Sequence, residues 1–299
     1  MSNKGQFKSI SAVGMGTFNK TGEIKEMVHY AKEYGVNMFD TSDDYGTEFE
    51  LGQALLEEYN ERKTFQVSTK ITSPEKAISL KNELKKSINN LFHDDKDAYV
   101  DLYLIHWPYP FVYLKIWEDM IKLKECGMTR HIGVCNFNIS QLKRMKEQVG
   151  IYPEVNQIEV HPLFAQKEIC DFCQSNNITI MCYSPFGRGG KELIENDTLV
   201  LLAKKYKVNV QQIILRWDIQ KGYIPIPASS SPKHIRDNSI VYDFSISEGD
   251  MKTIDALDVG LRYRLDSKTF FSTKKKIKYL LMRITWPILK TIKERRIYE

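Results

Sequence analysis

The chain has 299 residues, 42% hydrophobic and 27% charged, enough apolar material for a full core without disulfide or metal staples. Its net charge of +5 hides an asymmetry. Residues 268–299 hold ten Lys or Arg against two Glu, a net of +8, which leaves −3 for residues 1–267 and speaks against a nucleic-acid-binding body. Five scattered cysteines (Cys126, Cys135, Cys170, Cys173, Cys182) are an odd count, which excludes a disulfide framework and suits a reducing, cytoplasmic setting. The N-terminus lacks the apolar run of a signal peptide, and no uninterrupted apolar window is long enough for a spanning helix.

In chain order, a first strand reads near 10–16, then a helical pattern over 23–34 and a strand at 36–40 (VNMFD). A helix over 46–59 carries Leu51, Leu55, Leu56 and Tyr59 at three- and four-residue spacing, and a strand follows at 65–70 (FQVSTK). Helix 75–92 leads to strand 101–105 (DLYLI), helix 112–126 to strand 131–135 (HIGVC), and helix 140–148 to strand 155–159 (VNQIE). Helix 166–176 precedes strand 178–184 (ITIMCYS), and helix 197–219 precedes strand 223–227 (YIPIP). Near-continuous apolar strands separated by helices mean parallel strands buried on both faces. Eight such units are the count of a closed (β/α)₈ barrel in one domain, residues 1–267, followed by a tail, 268–299. The alternative, an open doubly wound sheet, calls for Gly-x-Gly-x-x-Gly after a strand; Gly14-Met15-Gly16 runs on into Thr-Phe-Asn and fails it.

Barrels of this type place their chemistry at the C-terminal ends of the strands. The residues there are unusually polar: Asp40, Lys70, His106, Asn136, Gln157, Tyr183 and Ser184. A buried lysine or aspartate is costly unless paired, and Asp40 and Lys70, on neighbouring strands, can pair with each other. The segments Asp40-Thr-Ser-Asp-Asp-Tyr45-Gly46, Thr69-Lys70, Ile105-His106-Trp107-Pro108 and Gly133-Val-Cys-Asn136-Phe-Asn resemble the signatures of the aldo-keto reductases. So do Asn156-Gln157 through Pro162, Tyr183-Ser184-Pro185 through Gly189, and Ile226-Pro227 through Asn238, all in the family's order over about residues 7–265.

The resemblance implies carbonyl reduction with hydride from a nicotinamide cofactor, without a metal. Tyr45 would donate the proton, Lys70 would lower its pKa, Asp40 would hold Lys70, and His106 would orient the carbonyl oxygen. Gly16, Thr17, Asp40, Asn136, Gln157, Tyr183, Ser184, Pro185, Gly187, Ser229, Arg236 and Asn238 match cofactor-contacting positions. Asn136 and Gln157 would bond the nicotinamide carboxamide, with Tyr183 stacked on the ring. The loop Gly187-Arg188-Gly189-Gly190 would fold over the pyrophosphate with backbone N–H groups. Arg236 favours NADP(H), since a guanidinium binds a 2′-phosphate bidentately. Phe18, Tyr45, His106 and Trp107 would line the substrate pocket, with Asp44, Phe49 and Tyr109 nearby.

Three positions depart from the family. Ala228 stands where a phosphate-binding lysine is usual, Cys135 replaces a serine beside Asn136 and should hold the carboxamide less firmly, and Phe18 replaces a tryptophan. Cys170 and Cys173 have a CxxC spacing, but within a helix and without a second pair, so they read as half-buried helix residues. His161 reads as structural.

In the tail, Ile277, Leu280, Leu281, Ile284, Ile288 and Ile292 fall on one helical face with Lys274, Lys278, Lys290 and Lys293 interleaved. Pro287 predicts a kink or end near Thr285 or Trp286. A basic, amphipathic, Trp-containing segment fits packing on the barrel or a sister subunit, a peripheral site on a membrane surface, a partner protein, or a disordered tail. The expected protein is therefore a reductase acting on a small carbonyl compound. The rivals are a cofactor-binding regulatory subunit docked through residues 270–299 and a barrel kept as a scaffold.

Overall fold

All eight strands of the computed structural model, which describes residues 13–93, 98–266 and 269–295, are parallel and neighbour one another in chain order. They are β1 (Met15–Gly16), β2 (Met38–Asp40), β3 (Gln66–Ile71), β4 (Val100–Ile105), β5 (Thr129–Cys135), β6 (Val155–Glu159), β7 (Thr179–Tyr183) and β8 (Ile224–Ile226). The ring closes where the Gly14 and Gly16 amides donate to the carbonyls of Pro225 and Pro227, both at 2.9 Å. Glycine is required at this seam, because a Cβ on Gly14 would lie 2.7 Å from Ile226. The first strand predicted at 10–16 is observed only as β1; residues 10–12 lie outside the described residues.

Alternation along each strand builds two apolar layers. Leu102 and Leu104 point into the barrel with Met38, Cys135, Val155, Met181 and Ile226, while Tyr103 and Ile105 point outward to the helices. The helices are α1 (Ile24–Glu33), α2 (Glu48–Glu58), α3 (Pro74–Ala77), α4 (Leu80–Phe92), α5 (Tyr113–Glu125), α6 (Ile139–Val149) and α7 (Lys167–Ser175). They continue with α8 (Lys191–Ile194), α9 (Asp197–Tyr206), α10 (Val210–Gln220), α11 (Pro232–Ser239), α12 (Glu248–Asp255) and α13 (Thr273–Arg295).

Two helices expected to be continuous are each split in two. Over 75–92, the Ser73 hydroxyl caps α3, and α4 restarts after Ser79, whose carbonyl accepts from Asn82 and Glu83. Over 197–219, Lys207 takes a left-handed conformation, and Asn209 and Gln212 form a reciprocal capping box that starts α10.

Pro287 neither ends nor breaks α13, which runs through it. Both Pro287 and Arg283, whose carbonyl loses its N–H partner to the proline, are exposed, so water can serve that carbonyl. The sequence left open which face of the helix would be covered. Tyr279, Met282 and Trp286 are buried against the barrel with Phe271, while the isoleucine-rich face points outward. Lys278 pairs with Glu75 at 2.5 Å, Lys290 with Asp119 at 2.6 Å, and the Lys293 ammonium donates to the Glu75 carbonyl at 2.6 Å. Exposed ion pairs contribute little, so the aromatic side of α13 is what holds it down. We predict that Trp286→Ala releases this helix, seen as faster amide exchange over 273–293 with the barrel strands still protected. The proposed domain boundary at 267/268 falls outside the described residues.

Candidate active site

Strand register sets the site. Asp40 ends β2, paired with Ser68 of β3, and Lys70 lies two residues further along β3, beside Leu104 of β4. His106 follows β4, Asn136 follows β5, and Gln157 pairs with Cys135. All therefore gather at one rim of the barrel.

At its centre is a fully buried ammonium. Lys70 Nζ donates to Asp40 Oδ2 at 2.6 Å and to the Thr41 carbonyl at 2.6 Å. Asp40 Oδ1 accepts from Gln157 Nε2 at 2.8 Å and from the Ser68 hydroxyl. Burial alone would pull the Lys70 pKa down, but nearby Asp40, with Tyr45 and Cys135, more than offsets it, so the ammonium is held charged. Its Nζ lies 5.1 Å from the centre of the Tyr45 ring.

The Tyr45 ring meets Phe18 edge-on at 5.0 Å and His106 edge-on at 6.1 Å. Its pKa corrects the sequence-based expectation. Lys70 does pull the phenol down, but burial pushes it up by more, so Tyr45 sits above its ordinary value near 10. Burial, with the positive charges of Lys70 and Arg264, pushes the His106 imidazole down to about 3, which keeps the ring neutral.

Asn136, in a left-handed backbone conformation (φ 64°), donates from Nδ2 to the His106 carbonyl at 3.2 Å and accepts from the Tyr183 hydroxyl at 2.7 Å. Gln157 commits its amide N–H to Asp40, leaving Oε1 without a partner among the described residues. The Gly16 amide is used in the barrel seam. Thr17 is fully buried; its amide and hydroxyl both donate to the Asp40 carbonyl, at 3.0 and 3.2 Å. Cys135 lies in the apolar barrel interior among Met38 and Leu104.

The glycine loop differs from expectation. Instead of presenting free N–H groups, Gly187, Gly189 and Gly190 donate to Ser184, Phe186 and Gly187 at 2.9, 2.8 and 3.1 Å. Left-handed Gly187, Arg188 and Gly189 curl the chain into a 3₁₀ turn that consumes these donors, with Ser184 (φ 49°) and Pro185 at its start. The Tyr263 ring lies where Cβ atoms of Gly187 or Gly190 would be, 2.4 Å away in each case.

At the other end, Ser229 Oγ accepts from the Ser231 amide at 3.2 Å, Arg236 is exposed on α11, and Asn238 of the same helix is buried. Lys20 reaches Ser230 Oγ at 3.2 Å and Glu23 at 3.0 Å, so a lysine from across the seam stands beside the loop where Ala228 leaves none. Among the other pocket candidates, Asp44 is an exposed carboxylate and Phe49 an exposed ring against His93. Tyr109 is buried under Phe271 and Tyr279, which removes it from the pocket. Cys170 and Cys173 are fully buried rather than half-buried, and burial pushes each thiol up to about 12, away from metal or redox chemistry. His161 is fully buried beside Glu159 and Tyr263. A cavity of about 540 Å³ beside Asn136, walled by Phe164, Lys167 and Arg262, does not reach Tyr45.

Three elements of the site escaped the sequence reading. Glu159, buried at the end of β6, accepts from the amides of Tyr263 and Arg264 at 2.8 and 3.2 Å and so straps residues 263–264 over the rim. Arg264 then lies 5.3 Å from the centre of the Phe18 ring. Phe270 stacks on Trp107 at 4.0 Å and 6°, extending the aromatic wall that runs from His106. An acidic residue closing an apolar strand was a signal for Glu159, whereas nothing local marked Arg264 or Phe270.

Comparison with known proteins gives one consistent answer. A sequence model of the Aldo/keto reductase family matches residues 11–259. The chain is 35% identical to a methylglyoxal reductase of Yersinia pestis, covering 88% of this chain and 94% of the relative. It is 34% identical to a 9,11-endoperoxide prostaglandin H2 reductase of Trypanosoma cruzi, covering 87% and 92%. Among solved structures, a Bombyx mori aldo-keto reductase in complex with NADP superposes with a TM-score of 0.80 at 33% identity, covering 87% of this chain and 92% of that one. An aldo-keto reductase enzyme from a Medee basin deep-sea metagenome library gives 0.79 at 33% identity, covering 87% and 96%. On its barrel, its rim residues and these likenesses, the chain belongs to the aldo-keto reductase family.

Proposed function

We propose that this protein reduces aldehydes or ketones to alcohols with NADPH, and that Tyr45 is the proton donor. The observation that carries the proposal is the buried Lys70–Asp40 pair, with its cation 5.1 Å from the Tyr45 ring and a neutral His106 edge-on to that ring at 6.1 Å. NADPH, when bound, would supply the hydride for the carbonyl carbon. The Tyr45 hydroxyl gives its proton to the carbonyl oxygen, and the phenolate left behind is stabilised by Lys70 until solvent returns the proton. A neutral His106 donates a hydrogen bond to the same oxygen without competing for the proton. Phe18 and Trp107, with Phe270, form the apolar wall that holds the rest of the substrate.

The residues present fit the cofactor. Gln157 keeps an open acceptor for a carboxamide N–H, and Asn136 and Tyr183 stand beside it. Ser229, Arg236 and Asn238 would hold the adenosine end, and Lys20 offers a second cation there. The Bombyx mori relative has NADP bound, which supports the same preference here. Arg236→Ala is expected to raise the KM for NADPH roughly tenfold or more and leave that for NADH nearly unchanged, since only NADPH carries the 2′-phosphate. Equal effects on both would remove Arg236 from phosphate recognition.

The pH profile follows from the two shifts. Tyr45 must be protonated to act as the acid, and a raised pKa keeps it protonated through neutral pH and beyond. His106 must be neutral, and with its pKa near 3 it remains so. We expect kcat/KM for reduction to stay level through the neutral range and to fall only above about pH 10. Alcohol oxidation, which needs the phenolate, should rise with pH instead. A reduction profile that falls between pH 6 and 8 would contradict this assignment.

A further inference from the structure

The outward face of α13 takes no part in the barrel's packing or in the rim. With Tyr279, Met282 and Trp286 turned inward, Ile277, Leu280, Leu281, Ile284 and Ile288 form a strip on the opposite side. These are not incidental exposures. Ile284 is 70% exposed, Ile288 63% and Leu281 60%, all within two turns of one helix. At 100° per residue, Lys274 borders one edge of the strip, and Lys276 and Arg283 border the other. These three are exposed and make no ion pair with the described residues, unlike Lys278 and Lys290, which Glu75 and Asp119 hold against the barrel. From Thr273 to Lys293 the helix has no carboxylate.

We propose that this face lies on a lipid surface that carries anionic headgroups, with the isoleucine strip at the acyl boundary and Lys274, Lys276 and Arg283 among the headgroups. Charge decides the occupant. A second copy docked tail to tail would bring these cations against their own counterparts across a two-fold axis, whereas an anionic surface satisfies strip and flanks together. The distribution over the whole chain has the same sense, net +8 on residues 268–299 and −3 on the rest, so a negative surface attracts the tail side and not the body. The attachment is peripheral, since no described helix is long and apolar enough to cross a membrane. Trp286 is not its anchor, being buried against the barrel.

The test is co-sedimentation of the full chain with vesicles of phosphatidylcholine alone or with added phosphatidylglycerol. An Ile284→Glu/Ile288→Glu variant is run alongside; both residues are exposed and distant in sequence from the rim, so melting and turnover should be unchanged and serve as the fold control. The expected result is pelleting with the anionic vesicles, weakened by salt, and reduced roughly tenfold or more in the variant. The proposal is overturned if the wild type stays in solution, pellets equally with both lipids, or is matched by the variant. It is equally overturned if light scattering shows a dimer that the same double substitution splits.

Discussion

Replacing Tyr45 by phenylalanine should lower kcat for carbonyl reduction by ~10²–10⁴-fold, the usual contribution of a positioned general acid, while NADPH binding stays within about twofold. The substitution removes one oxygen and leaves the ring that meets Phe18 and His106 at centroid distances of 5.0 and 6.1 Å. Nothing among the described residues accepts from that hydroxyl, so its loss orphans no partner. The Lys70–Asp40 pair beneath is untouched, as are Asn136 and Gln157. A single-turnover measurement separates the step from product release. If Tyr45→Phe kept more than about a tenth of wild-type kcat, another group would have to supply the proton.

The second large effect is on the pair itself. Lys70→Met places an isosteric apolar chain in a fully buried position and strips the Asp40 carboxylate of its cation. Asp40 retains hydrogen bonds from Gln157 and Ser68, but a buried carboxylate without its counter-charge costs about 3–5 kcal/mol. Denaturant unfolding should show that loss. Adding Asp40→Asn should return most of the stability, because the double variant buries no net charge. Turnover should stay low in both, since the phenolate left after proton transfer has lost Lys70. A double variant that regained activity with stability would make the pair a structural device and nothing more.

Legibility from sequence followed the range of the interactions. Asp40, Lys70 and His106 stood out because polar groups closing apolar strands need partners, and register then brought them together as β2, β3 and β4 aligned. Strand β6 runs over the residues its apolar run predicted, because every one of its side chains is buried. The helix split at Asn209 was readable only as capping chemistry, which an apolar period does not register, and at Ser79 no side chain caps the new helix. Tyr45 acidity was misjudged because spacing reveals the Lys70 charge but not how much water burial removes. The strap at Tyr263 and Arg264 depends on Glu159, 104 and 105 residues away, and no local pattern encodes that meeting. In α13 the periodicity located an apolar face correctly but could not say which face would be covered. Three bulky side chains, Tyr279, Met282 and Trp286, took the barrel side and left the isoleucines outside.

The most direct test of NADPH-dependent carbonyl reduction is the loss of reduced-nicotinamide absorbance when wild-type protein, NADPH and a panel of small aldehydes, ketones and sugars are combined. Carbonyl-dependent NADPH oxidation with alcohol formed in equal amount is expected, with slower oxidation of NADH. Tight NADPH binding with no turnover on any member of the panel would contradict it, and would turn the barrel into a cofactor-binding subunit whose work is done elsewhere.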